Sequence, residues 1–106
     1  KTIGIEGLLK ESLLKLKGVK AAFIYGSFAK AKEKAKIDVD LFLIGDIDEG
    51  QLIRQLNNME KTIKREVNYT IFNQDEYKKK KKKKDSFIID LLSNSKIMLV
   101  GSKNDL

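Results

Sequence analysis

Residues 19–44 read VKAAFIYGSFAKAKEKAKIDVDLFLI, and this stretch decides the fold. It begins with a mostly apolar run that ends at Tyr25 and closes with a second apolar run, residues 37–44. Short apolar runs bounded by Gly and charged residues are typical of buried strands. Gly26 and Ser27 interrupt the pattern, and residues 28–36 have the composition of a short charged helix or loop. The stretch therefore predicts two strands joined by a turn and a short helical segment.

An amphipathic helix is predicted on each side of these strands. The first helix has its apolar residues at helical spacing and is followed by Gly18, a residue that commonly ends helices. The apolar positions are Ile5, Leu8, Leu9, Leu13 and Leu16. The second helix begins after Asp48, with Gln51 completing a capping-box pattern, and extends to about residue 65.

The remaining third of the chain adds two more strands. Residues 67–72, VNYTIF, are rich in β-branched and aromatic side chains and predict a strand. Asn73 or Asp75 then opens a helix that runs to Leu92, and residues 96–100, KIMLV, predict a last strand. This alternation predicts an α/β or α+β fold, with a mixed sheet of about four strands and flanking helices.

The composition narrows both the class of protein and its chemistry. With 106 residues the chain has room for one domain, residues 1–106. It contains no Cys and no His, which excludes disulfides, zinc thiolate sites and histidine acid–base catalysis. The apolar runs are far shorter than the roughly 20 residues that span a bilayer, so a cytoplasmic protein without a membrane segment is expected. Because the chain begins at Lys1 rather than Met, a further domain upstream is also expected.

Two features stand out as candidates for chemistry. Asp38 and Asp40 lie two positions apart in the second strand, so their carboxylates are expected on one face. Paired carboxylates on an apolar strand are tolerated at an exposed acidic face or where cations neutralise them, and both interpretations stay open. Gly26 permits a tight turn, after which helix N–H groups and the Ser27 hydroxyl could hold a phosphate. Alternatively, Ser27 is an ordinary helix N-cap.

Together, residues 25–44 (YGSFAKAKEKAKIDVDLFLI) resemble the signature of the nucleotidyltransferase superfamily that includes DNA polymerase β. The similarity is greatest to the small prokaryotic minimal nucleotidyltransferase domains and covers most of the chain. Their pattern is an apolar strand, Gly-Ser, a short helix and Asp-x-Asp in the next strand. Here Gly26 lies twelve residues before Asp38.

The resemblance implies a function for each of these positions. Gly26 and Ser27 would bind the triphosphate of a nucleotide, with Lys30 at the basic position that follows them in the family. Asp38 and Asp40 would ligate two Mg²⁺ ions. The reaction would transfer a nucleotidyl group to a hydroxyl and release pyrophosphate, with metal ions clamping the attacking and leaving oxygens.

The chain departs from the family pattern at the third carboxylate. Active members supply another carboxylate from the strand after the long helix, and the matching position here is Asn68. An amide cannot act as a base. Glu66, two residues earlier, could substitute or could belong to a polar face without a role. Two functions therefore remain open: a Mg²⁺-dependent nucleotidyltransferase, and a non-catalytic nucleotide-sensing module of a transcriptional regulator or antitoxin.

The net charge of +7 comes from residues 78–84, which are seven consecutive lysines. Without them, basic and acidic residues are equal in number, 15 each. Because no aromatic residue interrupts the run, it offers no stacking platform for single strands. The run is interpreted as the solvated part of a helix, while contact with nucleic acid or an acidic partner stays an alternative. A homodimer, a protein partner or a fused helix-turn-helix domain are further expectations.

Overall fold

A computed structural model of the chain describes residues 4–31 and 37–106. The first half contains α1 (Ile5–Leu14), β1 (Val19–Tyr25), α2 (Gly26–Ala31), β2 (Val39–Gly45) and α3 (Glu49–Ile63). The second half contains β3 (Val67–Phe72), α4 (Gln74–Lys82), α5 (Ser86–Ser93), β4 (Ile97–Val100) and a short 3₁₀ turn, Lys103–Asp105. The last five residues of the predicted helix or loop 28–36 lie outside the described residues.

The four strands form one mixed sheet in the order β3-β2-β1-β4. Strand β1 runs antiparallel to both β2 and β4, whereas β2 and β3 run parallel. The predicted mixed sheet of four strands with flanking helices is confirmed. This topology brings the carboxyl end of β1 to the same edge of the sheet as the amino ends of β2 and β3.

Both faces of the sheet are covered, which explains why its central strands are almost continuously apolar. On one face, buried residues of α1 and α3 pack against inward side chains of β1 and β2; these include Leu9, Leu13, Leu52, Leu56, Ala22, Ile24, Leu41 and Leu43. On the other face, α4 and α5 pack against the alternate positions, including Phe23, Phe42, Ile44, Tyr77, Ile88 and Leu91. An exposed acidic face was one interpretation of Asp38 and Asp40. Such a face cannot continue along β2 past Asp40, because Phe42 and Ile44, which follow on the same face of the strand, are buried.

The long helix expected from residue 73 or 75 to Leu92 is wrong, because the chain breaks it in two. Helix α4 ends at Lys82, and Lys84 adopts a left-handed conformation with φ 56°. The Asp85 carboxylate then caps α5 by accepting hydrogen bonds from the backbone N–H groups of Phe87 and Ile88, at 3.0 and 3.2 Å. An Asp just before an apolar helical segment is a local start signal, and the lysine run before it obscured that signal.

Smaller corrections concern the ends of elements. Strand β2 begins at Val39, so Asp38 precedes the strand and does not lie within it. Helix α1 ends at Leu14, before Leu16, and α3 ends at Ile63. The predicted cap of α3 is confirmed, since Asp48 Oδ1 accepts a hydrogen bond from the Gln51 backbone N–H at 3.1 Å. In residues 4–31 and 37–106, no helix has the length and apolar character needed to cross a membrane.

Candidate active site

Three separate strands bring the predicted site residues to one edge of the sheet. The register pairs Tyr25 with Asp40 across β1 and β2, and Asp40 with Asn68 across β2 and β3. Gly26 follows Tyr25 directly at the start of α2. Consequently Gly26, Asp40 and Asn68 are neighbours although they are far apart in sequence.

Gly26 cannot be replaced by a larger residue without disturbing Asp40. Its φ of +72° lies in the left-handed region, where side chains are strained. A Cβ at this position would lie 2.8 Å from Asp40 Oδ2, which is closer than real Cβ contacts. The glycine therefore allows the backbone at the start of α2 to approach the Asp40 carboxylate closely.

Asp40 is half-buried and is held from its other side by Asn68. The Asn68 amide donates a hydrogen bond from Nδ2 to Asp40 Oδ1 at 3.3 Å. This length is at the long end for an N–H···O bond. One oxygen of the carboxylate is thus only weakly engaged, and a cation could replace this contact at little cost.

Asp38 and Glu66 lie at the same edge, one residue before β2 and β3 respectively. The Val39 N–H donates to the Glu66 carbonyl at 2.9 Å, which aligns the two strand entries. Both carboxylates are exposed, and neither has a hydrogen bond or ion pair with the residues that the structure describes. Asp38 is therefore close in chain position to Asp40, but no strand holds its side chain.

Arg65 is a residue at this edge that the sequence analysis missed. Its Nη1 donates to the Ile37 carbonyl at 3.2 Å, and its guanidinium lies 5.5 Å from the centre of the Phe28 ring. Arg65 therefore ties the entry of β2 to helix α2. No sequence motif marked it, because the Ile37 carbonyl and the Phe28 ring are 28 or more residues away along the chain.

The edge offers oxygen donors that suit Mg²⁺, namely the carboxylates of Asp38 and Asp40. Within residues 4–31 and 37–106, however, no group of three or more His, Cys, Asp or Glu side chains converges. Two carboxylates with an amide in the third position fit divalent cations that also bind substrate phosphates, since Mg²⁺ commonly takes only one or two carboxylates in such sites.

Ser27 and Lys30 both lie on α2, where they are exposed. The helix begins at Gly26, so Ser27 lies within the first turn and is not the residue before it, as an N-cap would be. Lys30 lines a cavity of about 220 Å³ together with Tyr25 and Gly26. The opposite wall of this cavity belongs to α5, which the sequence analysis did not connect with the site.

Two tyrosines and one lysine elsewhere in the fold have shifted pKa values. The pKa of Tyr69 is raised because its hydroxyl donates to Glu49 at 2.5 Å, with burial and the Glu49 charge adding to the effect. Burial raises the pKa of Tyr77. Burial, followed by repulsion from Lys103, lowers the pKa of Lys96.

Comparison with known proteins decides the family. The family model described as "Polymerase beta, Nucleotidyltransferase" matches residues 8–99. The chain belongs to this family. The match includes the Gly-Ser turn, the Asp-x-Asp segment and the strand that carries Asn68, so the nucleotidyltransferase resemblance drawn from the sequence is confirmed. No curated protein matches the chain.

Two solved structures share the nucleotidyltransferase fold of this chain. One is a mutant of the toxin–antitoxin MntA-HpeT in which two aspartates two positions apart are glutamates; it has a TM-score of 0.66 and 9% identity over 94% of this chain and 75% of that one. The other is a toxin–antitoxin with AMP-PNP, with a TM-score of 0.66 and 11% identity over 94% of this chain and 76% of that one. At these identities the likeness concerns the fold alone.

Proposed function

We propose that this nucleotidyltransferase-like domain binds a nucleoside triphosphate with Mg²⁺ at the edge formed by Gly26, Asp40 and Asn68, and transfers a nucleotidyl group to a hydroxyl acceptor. The observation that carries the proposal is the close approach of the Gly26 backbone to the Asp40 carboxylate. That approach would put bound phosphates beside a carboxylate that can hold a cation.

Each residue has a defined part in the proposal. Asp38 and Asp40 are the metal ligands, and Gly26 and Ser27 contact the triphosphate with backbone N–H groups and a hydroxyl. Lys30 adds a positive charge one helical turn further along α2. Bound Mg²⁺ would supply charge neutralisation at the attacking and leaving oxygens. Asn68 positions Asp40 through its amide.

The acceptor hydroxyl must lose a proton, and Asn68 cannot take it. Within the part of the chain that the structure describes, Glu66 is the remaining carboxylate at this edge, and its exposed side chain would have to turn toward the acceptor. Glu66 would therefore be a less effective base for the acceptor hydroxyl than a carboxylate at position 68. For that reason a second function is kept: a domain that binds nucleotide and signals its presence without turnover.

The amide at position 68 is the feature that favours a nucleotide sensor over an enzyme. A sensor needs the phosphate and cation contacts but no base. The neighbouring folds occur in toxin–antitoxin structures, one of them with AMP-PNP, which supports a nucleotide ligand and a protein partner for this chain as well. A homodimer remains part of the same proposal.

The test combines a transfer assay with a binding assay. Labelled ATP and Mg²⁺ are added to the chain, and label retained on protein or acceptor is separated from label that is only bound. Transfer supports the enzyme, whereas binding without transfer supports the sensor. In the variant Asp38→Asn with Asp40→Asn, metal-dependent binding should weaken more than about 100-fold, since even outer-shell changes cost 10–100-fold.

Asp46→Asn provides the matched control. Asp46 is an exposed aspartate at the opposite end of β2, and its variant should bind as the unchanged chain does. If nucleotide affinity survives both the double substitution and EDTA, the proposed site is incorrect.

A further inference from the structure

The cavity beside Gly26 has a second wall whose chemistry differs from that of the first. Tyr25, Gly26 and Lys30 form the wall next to the proposed phosphate contacts. The second wall contains Phe87 and Asp90 of α5 and Asn94, which directly follows that helix. We propose that this cavity is the nucleobase subsite, in which Phe87 stacks on the base and Asp90 selects bases that carry an exocyclic amine. This inference rests on the proposed nucleotide function and names the part of the nucleotide that α5 would recognise.

The position and size of the cavity favour a base over a whole nucleotide. Because Gly26 and Lys30 line it, a ligand with its phosphates at the start of α2 would extend its other end into it. Its volume of about 220 Å³ is below the roughly 300–1,000 Å³ of pockets that enclose complete small-molecule ligands. The cavity can therefore take the base while the phosphates remain outside, beside Asp40.

Phe87 is a large apolar side chain that stays 41% exposed at this cavity. Its ring contacts Tyr25 edge-on, with centroids 6.2 Å apart and an interplanar angle of 78°. A second contact to Phe42, with centroids 6.3 Å apart, holds it from the core side. The ring is thus fixed in orientation but not covered, and a base stacked on such a ring contributes roughly 1–3 kcal/mol.

Asp90 and Asn94 present hydrogen-bond acceptors to the cavity. Asn94 Nδ2 donates to the Asp90 carbonyl at 2.8 Å and to Asp90 Oδ1 at 3.1 Å, so both amide hydrogens are engaged. The opposite orientation of the amide would face oxygen to oxygen and is excluded by repulsion. Asp90 Oδ2 and Asn94 Oδ1 remain, and both only accept.

The acceptors of Asp90 and Asn94, on the side of the cavity opposite Lys30, discriminate among nucleobases. Adenine and guanine carry exocyclic amines that can donate to Asp90, and their two-ring systems cover more of Phe87 than a pyrimidine does. Hypoxanthine is a purine of the same shape without an exocyclic amine, and in place of the adenine amine it has a carbonyl that an acceptor repels. ITP therefore tests the amine without changing the stacking area or the triphosphate.

The experiment measures the affinities of ATP, GTP and ITP in the presence of Mg²⁺ by calorimetry. The unchanged chain should bind ITP about tenfold more weakly than ATP or GTP, the loss expected for one hydrogen bond to a charged acceptor. In Asp90→Ala this difference should disappear, and in Asp90→Asn it should shrink. Phe87→Leu should weaken all three ligands by a similar factor, whereas Ile89→Ala, at an exposed residue of the same helix that does not line the cavity, should change none.

The outcomes separate this inference from the function on which it rests. Equal affinity for the three triphosphates, or discrimination that survives Asp90→Ala, would overturn the base subsite while leaving nucleotide binding intact. If no triphosphate binds to the unchanged chain, the proposed function itself fails, and the subsite fails with it.

Discussion

The two ends of the β2 strand use polar side chains in different ways. At the far end, where β2 finishes at Gly45, Asp48 caps α3 by accepting a hydrogen bond from the Gln51 N–H. At the same end, Asn73 and Glu76 form a reciprocal capping box at the start of α4. At the near end, where β2 begins, Asp40 receives a single side-chain hydrogen bond from the described residues, the 3.3 Å contact from the Asn68 amide, and has the Gly26 backbone beside it. A carboxylate that already accepts backbone N–H bonds is explained by the fold, whereas one beside a glycine turn, without such bonds, is available for a ligand.

Gly26→Ala, at the Asp40 end of β2, should reduce nucleotide binding and stability more than any of the substitutions that follow. The new Cβ would displace the Asp40 carboxylate, and the left-handed backbone would cost about 1–2 kcal/mol. We expect Mg²⁺-dependent nucleotide affinity to fall more than about tenfold, together with a lower melting temperature. Calorimetric titration and thermal unfolding measure the two effects.

Gly50→Ala is the matched control at the other end. Gly50 lies in the first turn of α3, where an added Cβ would meet Asp48 Oδ1 at 3.3 Å and no positive φ is required. Helix propensity favours Ala by up to about 1 kcal/mol, while the new Cβ would push the capping Asp48 carboxylate aside by a few tenths of an ångström. These effects oppose each other, so stability should change by less than about 1 kcal/mol and binding should be unchanged. Equal losses of binding in both variants would contradict the division between the two ends.

Asn68→Asp should strengthen cation binding at the Asp40 end of β2. Without metal, a carboxylate facing Asp40 would repel it, so the variant should be less stable than the unchanged chain. Divalent cations should reverse that loss, so that Mg²⁺ or Mn²⁺ raises its melting temperature more than that of the unchanged chain. A melting temperature that does not respond to metal would argue against a cation site at Asp40.

Asp48→Ala tests the structural use of a carboxylate at the far end. Loss of the cap should cost about 1 kcal/mol of unfolding free energy, measured by denaturant titration. Nucleotide affinity should remain the same, because the capped helix start lies at the opposite end of β2 from Asp40. A large loss of affinity here would show that the far end also contributes to the site.

Substitutions in the lysine run, residues 78–84, should have the smallest effect on stability and binding. Lys80 lies 5.5 Å from the Phe72 ring centre and 3.9 Å from Asp85, so part of the run covers core aromatics, while Lys78, Lys79, Lys82 and Lys83 are exposed. Changing those four to Gln should alter stability by less than about 0.5 kcal/mol. Retention on nucleic acid, measured at two salt concentrations, should not change; a reduced salt slope would instead indicate phosphate contacts.

Local signals in the sequence accounted for much of the fold. Strands β1 and β3 have the predicted bounds, and the Asp48 cap is where the pattern placed it. The break between α4 and α5 had a local signal too, the cap at Asp85, although the helical composition around it suggested continuity. The position of Asp38 just before β2 was not predictable, because strand ends depend on pairing with neighbouring strands.

The sequence by itself determined the order of the strands along the chain and, apart from the break between α4 and α5, of the helices between them. It also determined the absence of Cys and His, and hence a dependence on carboxylates for chemistry. It further determined that the excess positive charge belongs to one segment, residues 78–84. Tertiary structure decided which residues meet: Asn68 reaches Asp40 across 28 residues of chain, and α5 closes the cavity beside Gly26. Those contacts follow from burial of both faces of the sheet, which sets strand register and helix placement through interactions that no local pattern contains.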